Sequence, residues 1–467
     1  MKYVSTRGHA SDLTFTEALL TGLAPDGGLY LPNVLPQVSP ETLTQWQHSG
    51  YEQLATDIFQ QFAAGSALDS PELSNLIHAG LDNFRHGAIA PLVQLDDGEN
   101  WLLELFYGPT LAFKDYALQI LGQLIGHLLG QTGEHITVLG ATSGDTGAAA
   151  IAGMAGVPNA QIFILHPKGS VSEVQRRQMT TCIADNIHNI AIEGSFDDCQ
   201  DLVKQGFRDE TLRQSVGLTA INSINIARIV AQMVYYVQAS LRLGGSDRRP
   251  IHFCVPTGNF GNIFSAYLAK QLGAPIGQLV IASNRNDILP RSYREGTMVL
   301  NRTVSTLSMS MDIQIPSNFE RLLYLLVDRD AETLCKLLQD FRAEGECHLP
   351  AQTVARWHRD FLAYSVDDEL TKTTIADVYQ RNKHLIDPHT AVGVAAARQA
   401  RAEGLTGPLV SLACAHPAKF PTAVRSATAV SPELPDFMAD LFEREERLEV
   451  LPNSFEALKQ RIQSVSG

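Results

Sequence analysis

An α/β protein built on largely parallel sheets is what this 467-residue sequence predicts, on three observations. Short β-rich apolar runs recur along it. Helical periodicity fills the gaps between them. Two of the run-to-helix junctions carry turns dense in Gly, Thr, Ser and Asn. The alternation implies βαβ units, and over this length it suggests two sheets.

Residues 1–36 hold many turn formers, with Pro25-Asp26-Gly27-Gly28 as a strong turn before the short apolar piece Leu29-Tyr30-Leu31. Residues 40–87 read as amphipathic helices, EQLATDIFQQFAA being the clearest, so 1–95 is expected to form an N-terminal packing or lid domain. A first α/β domain is expected over 96–250. Its strands are ITVLGA (136–141), QIFILHP (161–167) and NIAIEG (189–194), with helical patterns at 197–213 and 224–242. A second is expected over 251–467, with strands IHFCVP (251–256), LVIASN (279–284) and LVSLACA (409–415) and a helix at 262–272. Residues 318–383 break the rhythm and read as a charged, helix-rich insertion. The stretch 434–464 reads as polar and helical.

Composition narrows the function. Hydrophobic residues at 45% and charged residues at 18% are those of an ordinary globular chain. A net charge of −14 argues against nucleic acid or an anionic membrane as partner, while leaving room for a small anionic substrate. No apolar stretch is long enough to predict a membrane span, and the N-terminus has no signal-peptide pattern. The six cysteines form no CxxC or zinc spacing. They read as reduced thiols of a cytoplasmic protein that needs no metal.

Three stretches carry chemistry. In ELFYGPTLAFKDYA (104–117), the turn signal Gly108-Pro109-Thr110 leads to Lys114, and a helical pattern begins directly after it. With Asp115 as N-cap, Lys114 would stand at the positive end of a helix dipole, where an ammonium is disfavoured. A Schiff-base lysine suits that position, and so does an ordinary solvated one. In ITVLGATSGDTGAAA, the turn Thr142-Ser143-Gly144-Asp145-Thr146 joins strand to helix, offering backbone N–H groups and hydroxyls to a carboxylate. Plain helix capping explains the same residues. In IHFCVPTGNFGN, Gly258-Asn259-Phe260-Gly261-Asn262 lacks both the P-loop ending and the dinucleotide fingerprint, so it suits a single phosphate, or serves as a structural turn. One reactive lysine, one phosphate cradle and one carboxylate cradle are the parts that pyridoxal phosphate with an amino-acid substrate requires.

The chain resembles the threonine synthase family, in its longer form, over nearly its whole length. The likeness is carried by YVSTRG, EALLTGLAPDGGLYLP, GPTLAFKDYALQ, TSGDTGAAA, NSINIARI, PTGNFGN, SMDIQIPSNFERLL, DPHTAVG and AHPAKF. It implies a fold-type-II pyridoxal-phosphate enzyme converting O-phospho-L-homoserine and water into L-threonine and phosphate. A phospho-lyase that releases phosphate without making threonine is the alternative. By the same resemblance Lys114 binds the cofactor covalently, and Gly258, Asn259, Phe260 and Asn262 hold its phosphate. Thr142 to Thr146 meet the substrate carboxylate, and Ser223, Asn225 and Arg228 meet the substrate phosphate. Two departures stand out. Cys414 replaces the family's usual threonine, whose hydroxyl bonds the pyridine nitrogen, and Ser170 stands where relatives often carry Arg or Lys, with Lys168, Arg176 and Arg177 nearby. A monomer or homodimer is expected.

Overall fold

The computed structural model describes residues 1–466 apart from Asp96, Asp97, Ser143, Ser170 and Ile221. The strands that build its two sheets are β1 (Leu92–Leu95), β2 (Asn100–Glu104), β3 (Ile136–Ala141), β4 (Ala160–Pro167), β5 (Ile187–Glu193), β6 (Leu218–Thr219), β7 (Ile251–Pro256), β8 (Ile276–Ser283), β9 (Phe361–Ser365), β10 (Leu409–Ala413) and β11 (Glu449–Pro452). One sheet has the order β11-β5-β4-β3-β6 and is parallel throughout. The other has the order β9-β8-β7-β10-β2-β1, parallel except for the β1–β2 hairpin at its edge. Every residue of β7 and β10 is buried, as central strands covered on both faces should be.

Five helices position the site: α1 (Asp115–Thr132), α2 (Asp145–Met154), α3 (Ile226–Arg242), α4 (Gly261–Leu272) and α5 (Pro388–Ala402). Four of them, α1, α2, α3 and α4, are each the next element after a sheet strand (β2, β3, β6 and β7), so their N-termini gather at the carboxyl ends of the strands. Ligands of open α/β sheets collect there. The first two helices cross at bare glycines. A Cβ on Gly122 would lie 1.8 Å from the Gly153 carbonyl oxygen, and one on Gly153 would lie 2.3 Å from that of Leu118. That contact fixes how the N-termini of α1 and α2 face each other.

The sheets divide the chain differently from the expected boundaries at 95/96 and 250/251. Strand β2 pairs with β10, and β11 pairs with β5, so each α/β unit borrows a strand from outside its own stretch of sequence. The N-terminal helices Tyr51–Ala63 and Glu72–Leu81 share one hydrophobic core with α1 and α3, which makes 1–95 a packing element of the body. The insertion at 318–383 is helix-rich as expected, but its Phe361–Ser365 is strand β9. Of the stretch 434–464, only 455 onward is α-helical, and Glu449–Pro452 is strand β11. Both strands are short, sit at sheet edges and border a helix directly or within three residues, so the surrounding helical pattern hides them.

Candidate active site

The Lys114 segment is set by the neighbouring backbone. Strand β2 runs on through Leu105, whose N–H donates to Ala413 O (2.9 Å). After the Gly108–Thr110 turn the chain returns antiparallel to 414–416. Phe113 N–H donates to Cys414 O (2.9 Å) and His416 N–H to Leu111 O (3.0 Å), so the lysine and the Cys414 segment are held in fixed register. Helix α1 then starts one residue earlier than expected. Lys114 itself occupies the N-cap position, and Asp115 is the first helical residue. The Asp115 carboxylate turns back instead to accept from Thr110 N–H (2.8 Å) and Thr110 Oγ1 (2.6 Å), stitching the turn to the helix.

Lys114 Nζ lies 3.3 Å from Asp145 Oδ2, at the first residue of α2. Asp145 is a buried hub: Lys419 Nζ lies 2.9 Å from its Oδ1, Gln175 Nε2 donates to Oδ1 (2.8 Å) and Ser310 Oγ donates to Oδ2 (3.2 Å). Burial pushes its carboxyl up, but Lys419, then Lys114, outweigh that and hold it well below the usual range. The carboxylate therefore organises cations rather than greeting a substrate carboxylate. Thr142 Oγ1 accepts from Gly144 N–H (3.0 Å) and Gly147 N–H (2.9 Å), shaping the turn. Ser143 lies outside the described residues.

The second cradle sits beside the first. Phe260 takes a left-handed conformation (φ 67°) at the N-cap of α4 and gives the helix no side-chain cap, leaving first-turn N–H groups for a guest. Gly258 is closely packed: a Cβ there would meet Ser310 O at 3.0 Å, so the neighbouring backbone would have to give by a few tenths of an ångström. Asn259 O accepts from Asn318 N–H (3.0 Å) and Asn318 Nδ2 (3.1 Å), and the same amide donates to Ser223 O (3.1 Å). Arg321 fixes Asn318 in turn: its Nη1 donates to Asn318 Oδ1 (2.6 Å) and its Nη2 to Ile224 O (2.5 Å). One clamp thus ties the Gly258–Phe260 turn before α4 to the Ser223–Asn225 turn before α3.

Lys114, Asp145, Thr146, Ser223, Arg228, Gly258–Asn262 and Cys414 line one pocket, which opens into a larger cleft through Lys114, Asp145, Thr146, Ser223, Asn259 and Ser310. Asn225 is not part of it. Its Oδ1 accepts from Ala227 N–H (3.0 Å) as the N-cap of α3, and its Nδ2 donates to Leu19 O (2.8 Å), so both ends of the amide are occupied. Thr142 lines the outer cleft only, and Gly144 lines neither. Lys168 pairs with Glu193 (3.2 Å) and Arg177 with Glu446 (3.5 Å), as does Arg176, and none of the three lines the pocket around Lys114. Ser170 lies outside the described residues.

Three buried donor atoms on two pocket side chains have no acceptor among the described residues: Nε and Nη1 of Arg228, and Nδ2 of Asn262. Burial alone lowers the Arg228 guanidinium to about 10, leaving it cationic at neutral pH. Unmatched donors beside an uncapped helix and an amine fit a phosphate-bearing aldehyde such as pyridoxal phosphate. Cys414 lies opposite, buried, with Sγ 3.7 Å from Leu412 O. Burial raises its thiol well above the usual value, so it is neutral. Exchanging it for threonine puts a stronger hydrogen-bonding hydroxyl on that wall of the pocket. Cys414→Thr is expected to retain cofactor equally or more tightly in a dialysis assay, and a large loss would show the thiol to be an adaptation.

Lys419, Gln175, Ser310, Asn318 and Arg321 were not among the residues expected in the site. Lys419, Ser310, Asn318 and Arg321 lie inside the motifs AHPAKF and SMDIQIPSNFERLL, which were the available signal. His416 has a structural role: its Nδ1 accepts from Ala418 N–H (3.2 Å), and burial lowers it to about 4. Asp387 caps α5, accepting from the N–H groups of His389 and Thr390. Asp312 ties loops together, accepting from Asn284 Nδ2 (2.8 Å) and Thr306 Oγ1 (2.7 Å).

Fold and pocket define a fold-type-II pyridoxal-phosphate enzyme. The family profile for pyridoxal-phosphate dependent enzymes matches residues 85–337, and maize serine racemase, at 14% identity and a TM-score of 0.51, shares the fold. Profiles for the threonine synthase N terminus and C-terminal region match residues 2–80 and 390–462. The chain is 50% identical to threonine synthase of Pseudomonas aeruginosa, over 97% of this chain and 96% of that one. Its structure matches pyridoxal-phosphate-bound threonine synthase from Brucella melitensis with a TM-score of 0.96 and 45% identity, covering 100% and 99% of the two chains. The yeast threonine synthase structure matches with a TM-score of 0.93 and 37% identity, covering 99% and 98%. The chain belongs to the threonine synthase family.

Proposed function

We propose that the chain converts O-phospho-L-homoserine and water into L-threonine and phosphate, and that the residues assembled around Lys114 carry the reaction. The observation that supports this most is the meeting of a nucleophilic lysine with two sets of unmatched phosphate donors in one pocket. Gly258, Asn259, Phe260 and Asn262 would hold the cofactor phosphate beside the uncapped first turn of α4. When bound, pyridoxal phosphate supplies an electron sink for charge developing on the substrate carbons.

The chain's own residues do the rest. Lys114 Nζ removes the proton at Cα. Loss of a second proton at Cβ lets the Cγ–O bond break, and its electron pair leaves with the phosphate. Arg228 receives that anion through Nε and Nη1, with Ser223 at its side. Protonation at Cγ and addition of water at Cβ follow, and Lys114 returns the proton to Cα. Lys419 stays on Asp145 throughout. The aspartate thereby keeps a cationic partner whenever Lys114 is engaged elsewhere. Thr146 and the N-terminus of α2 face the cleft where the substrate carboxylate enters.

Following phosphate and threonine together from O-phospho-L-homoserine tests the proposal: the two should appear in equal amounts. Phosphate without threonine would establish the phospho-lyase reading instead. The reading also places the enzyme in the cytoplasm, in keeping with six free cysteines, and as a monomer or homodimer, which light scattering distinguishes. Among the described residues no helix is long and apolar enough to cross a membrane.

A further inference from the structure

We infer that Tyr235 and Tyr236 are positioning residues of the cofactor-phosphate site: their two hydroxyls, both donating to Asn262 Oδ1, lock that carboxamide with its NH2 end toward the pocket. The inference rests on the proposed role of Asn262 as a phosphate ligand. A carboxamide is nearly symmetric in shape, so packing alone does not decide which end faces a guest. Here the tyrosines decide it. Tyr235 OH lies 2.5 Å and Tyr236 OH 2.7 Å from Oδ1. Both phenols are fully buried on adjacent positions of α3, and burial raises both well above the usual value, so they remain donors at any working pH. Tyr236 has no other acceptor among the described residues, and the second partner of Tyr235 is Gln232 Oε1 at 3.4 Å. Turning the amide over would leave a buried phenol proton unmatched and aim a carbonyl oxygen at a phosphate. The Asn262 NH2 group, buried and without a partner, is the end left facing the pocket.

Two donors on one oxygen make the lock redundant, and redundancy has a signature. Either hydroxyl alone should hold the amide, while losing both should free it. The test uses cofactor-stripped protein and two probes, pyridoxal 5′-phosphate and pyridoxal, followed by fluorescence quenching. Tyr235→Phe and Tyr236→Phe should each weaken pyridoxal 5′-phosphate binding by no more than about threefold. The double variant should weaken it by about thirtyfold or more, with pyridoxal affinity within about threefold of wild type. A double variant that binds pyridoxal 5′-phosphate like wild type overturns the inference, as does an equal loss for both probes. Should the double variant not fold, Asn262→Asp decides: both tyrosine bonds persist, but an oxygen now faces the pocket. It should lose pyridoxal 5′-phosphate and keep pyridoxal, and wild-type binding of the phosphate form overturns the inference. Asn262→Ala separates the two levels. Undiminished phosphate-form binding there overturns the phosphate role itself. A loss there beside an unaffected double variant overturns only the tyrosine lock.

Discussion

Replacing Lys114 with alanine is expected to abolish turnover and, with it, the visible absorption of lysine-bound pyridoxal phosphate. The loss should exceed about 10³-fold, because one amine serves both as covalent anchor and as the base at Cα. The surroundings explain why no neighbour can substitute. Lys419, the other lysine on Asp145, is fully buried and spends its ammonium on Asp145 (2.9 Å) and Thr110 O (2.6 Å). Lys114, by contrast, has one ion-pair partner among the described residues, Asp145 at 3.3 Å, sits over the Phe113 ring (4.9 Å) and lines the cleft. Lys114→Arg separates its two duties. A guanidinium can keep a charge beside Asp145, and the phosphate cradle is untouched, so this variant should bind the cofactor without a covalent bond and remain inactive. A coloured, active Lys114→Ala protein would falsify the assignment.

How far this site was legible beforehand depends on what kind of information each residue carries. Strands β3 and β7 lie where the sequence places them, to the residue, because each is an apolar run stopped by a turn. The edge strands β9 and β11 were hidden because each is a run of four or five residues beside a helix, and only its pairing partner sets it apart as a strand. Lys114 and the Gly258–Asn262 loop could be read because a helix start and a glycine-rich turn are local features. The ion pair between Lys419 and Asp145 spans 274 positions and exists only once the sheets have brought the Thr142–Thr146 turn against 417–419. Asn225 shows the reverse error. Asparagine serves equally as ligand and as helix cap, and only the completed bonds to Ala227 and Leu19 reveal which use it has here.

The same substitution, glycine to alanine, should have opposite effects at two places on α1. At Gly130 nothing lies within 4 Å of an added Cβ, so alanine gains helix propensity, worth up to about 1 kcal/mol of stability. At Gly122 the new atom would stand 1.8 Å from the Gly153 carbonyl oxygen, and backbone cannot swing aside as a flexible side chain can. Helix α1 or α2 must move, at a cost of about 3 kcal/mol or more. The consequence reaches the chemistry because Lys114 and Asp145 stand at the N-termini of those two helices, and the Gly122–Gly153 crossing sets the distance between them. Gly122→Ala is therefore expected to lower the melting temperature and to reduce kcat together, whereas Gly130→Ala raises the first and leaves the second alone. Thermal melts and steady-state turnover on both proteins check this. A Gly122→Ala enzyme as stable and as active as wild type would mean that the helix crossing does not set the Lys114–Asp145 geometry.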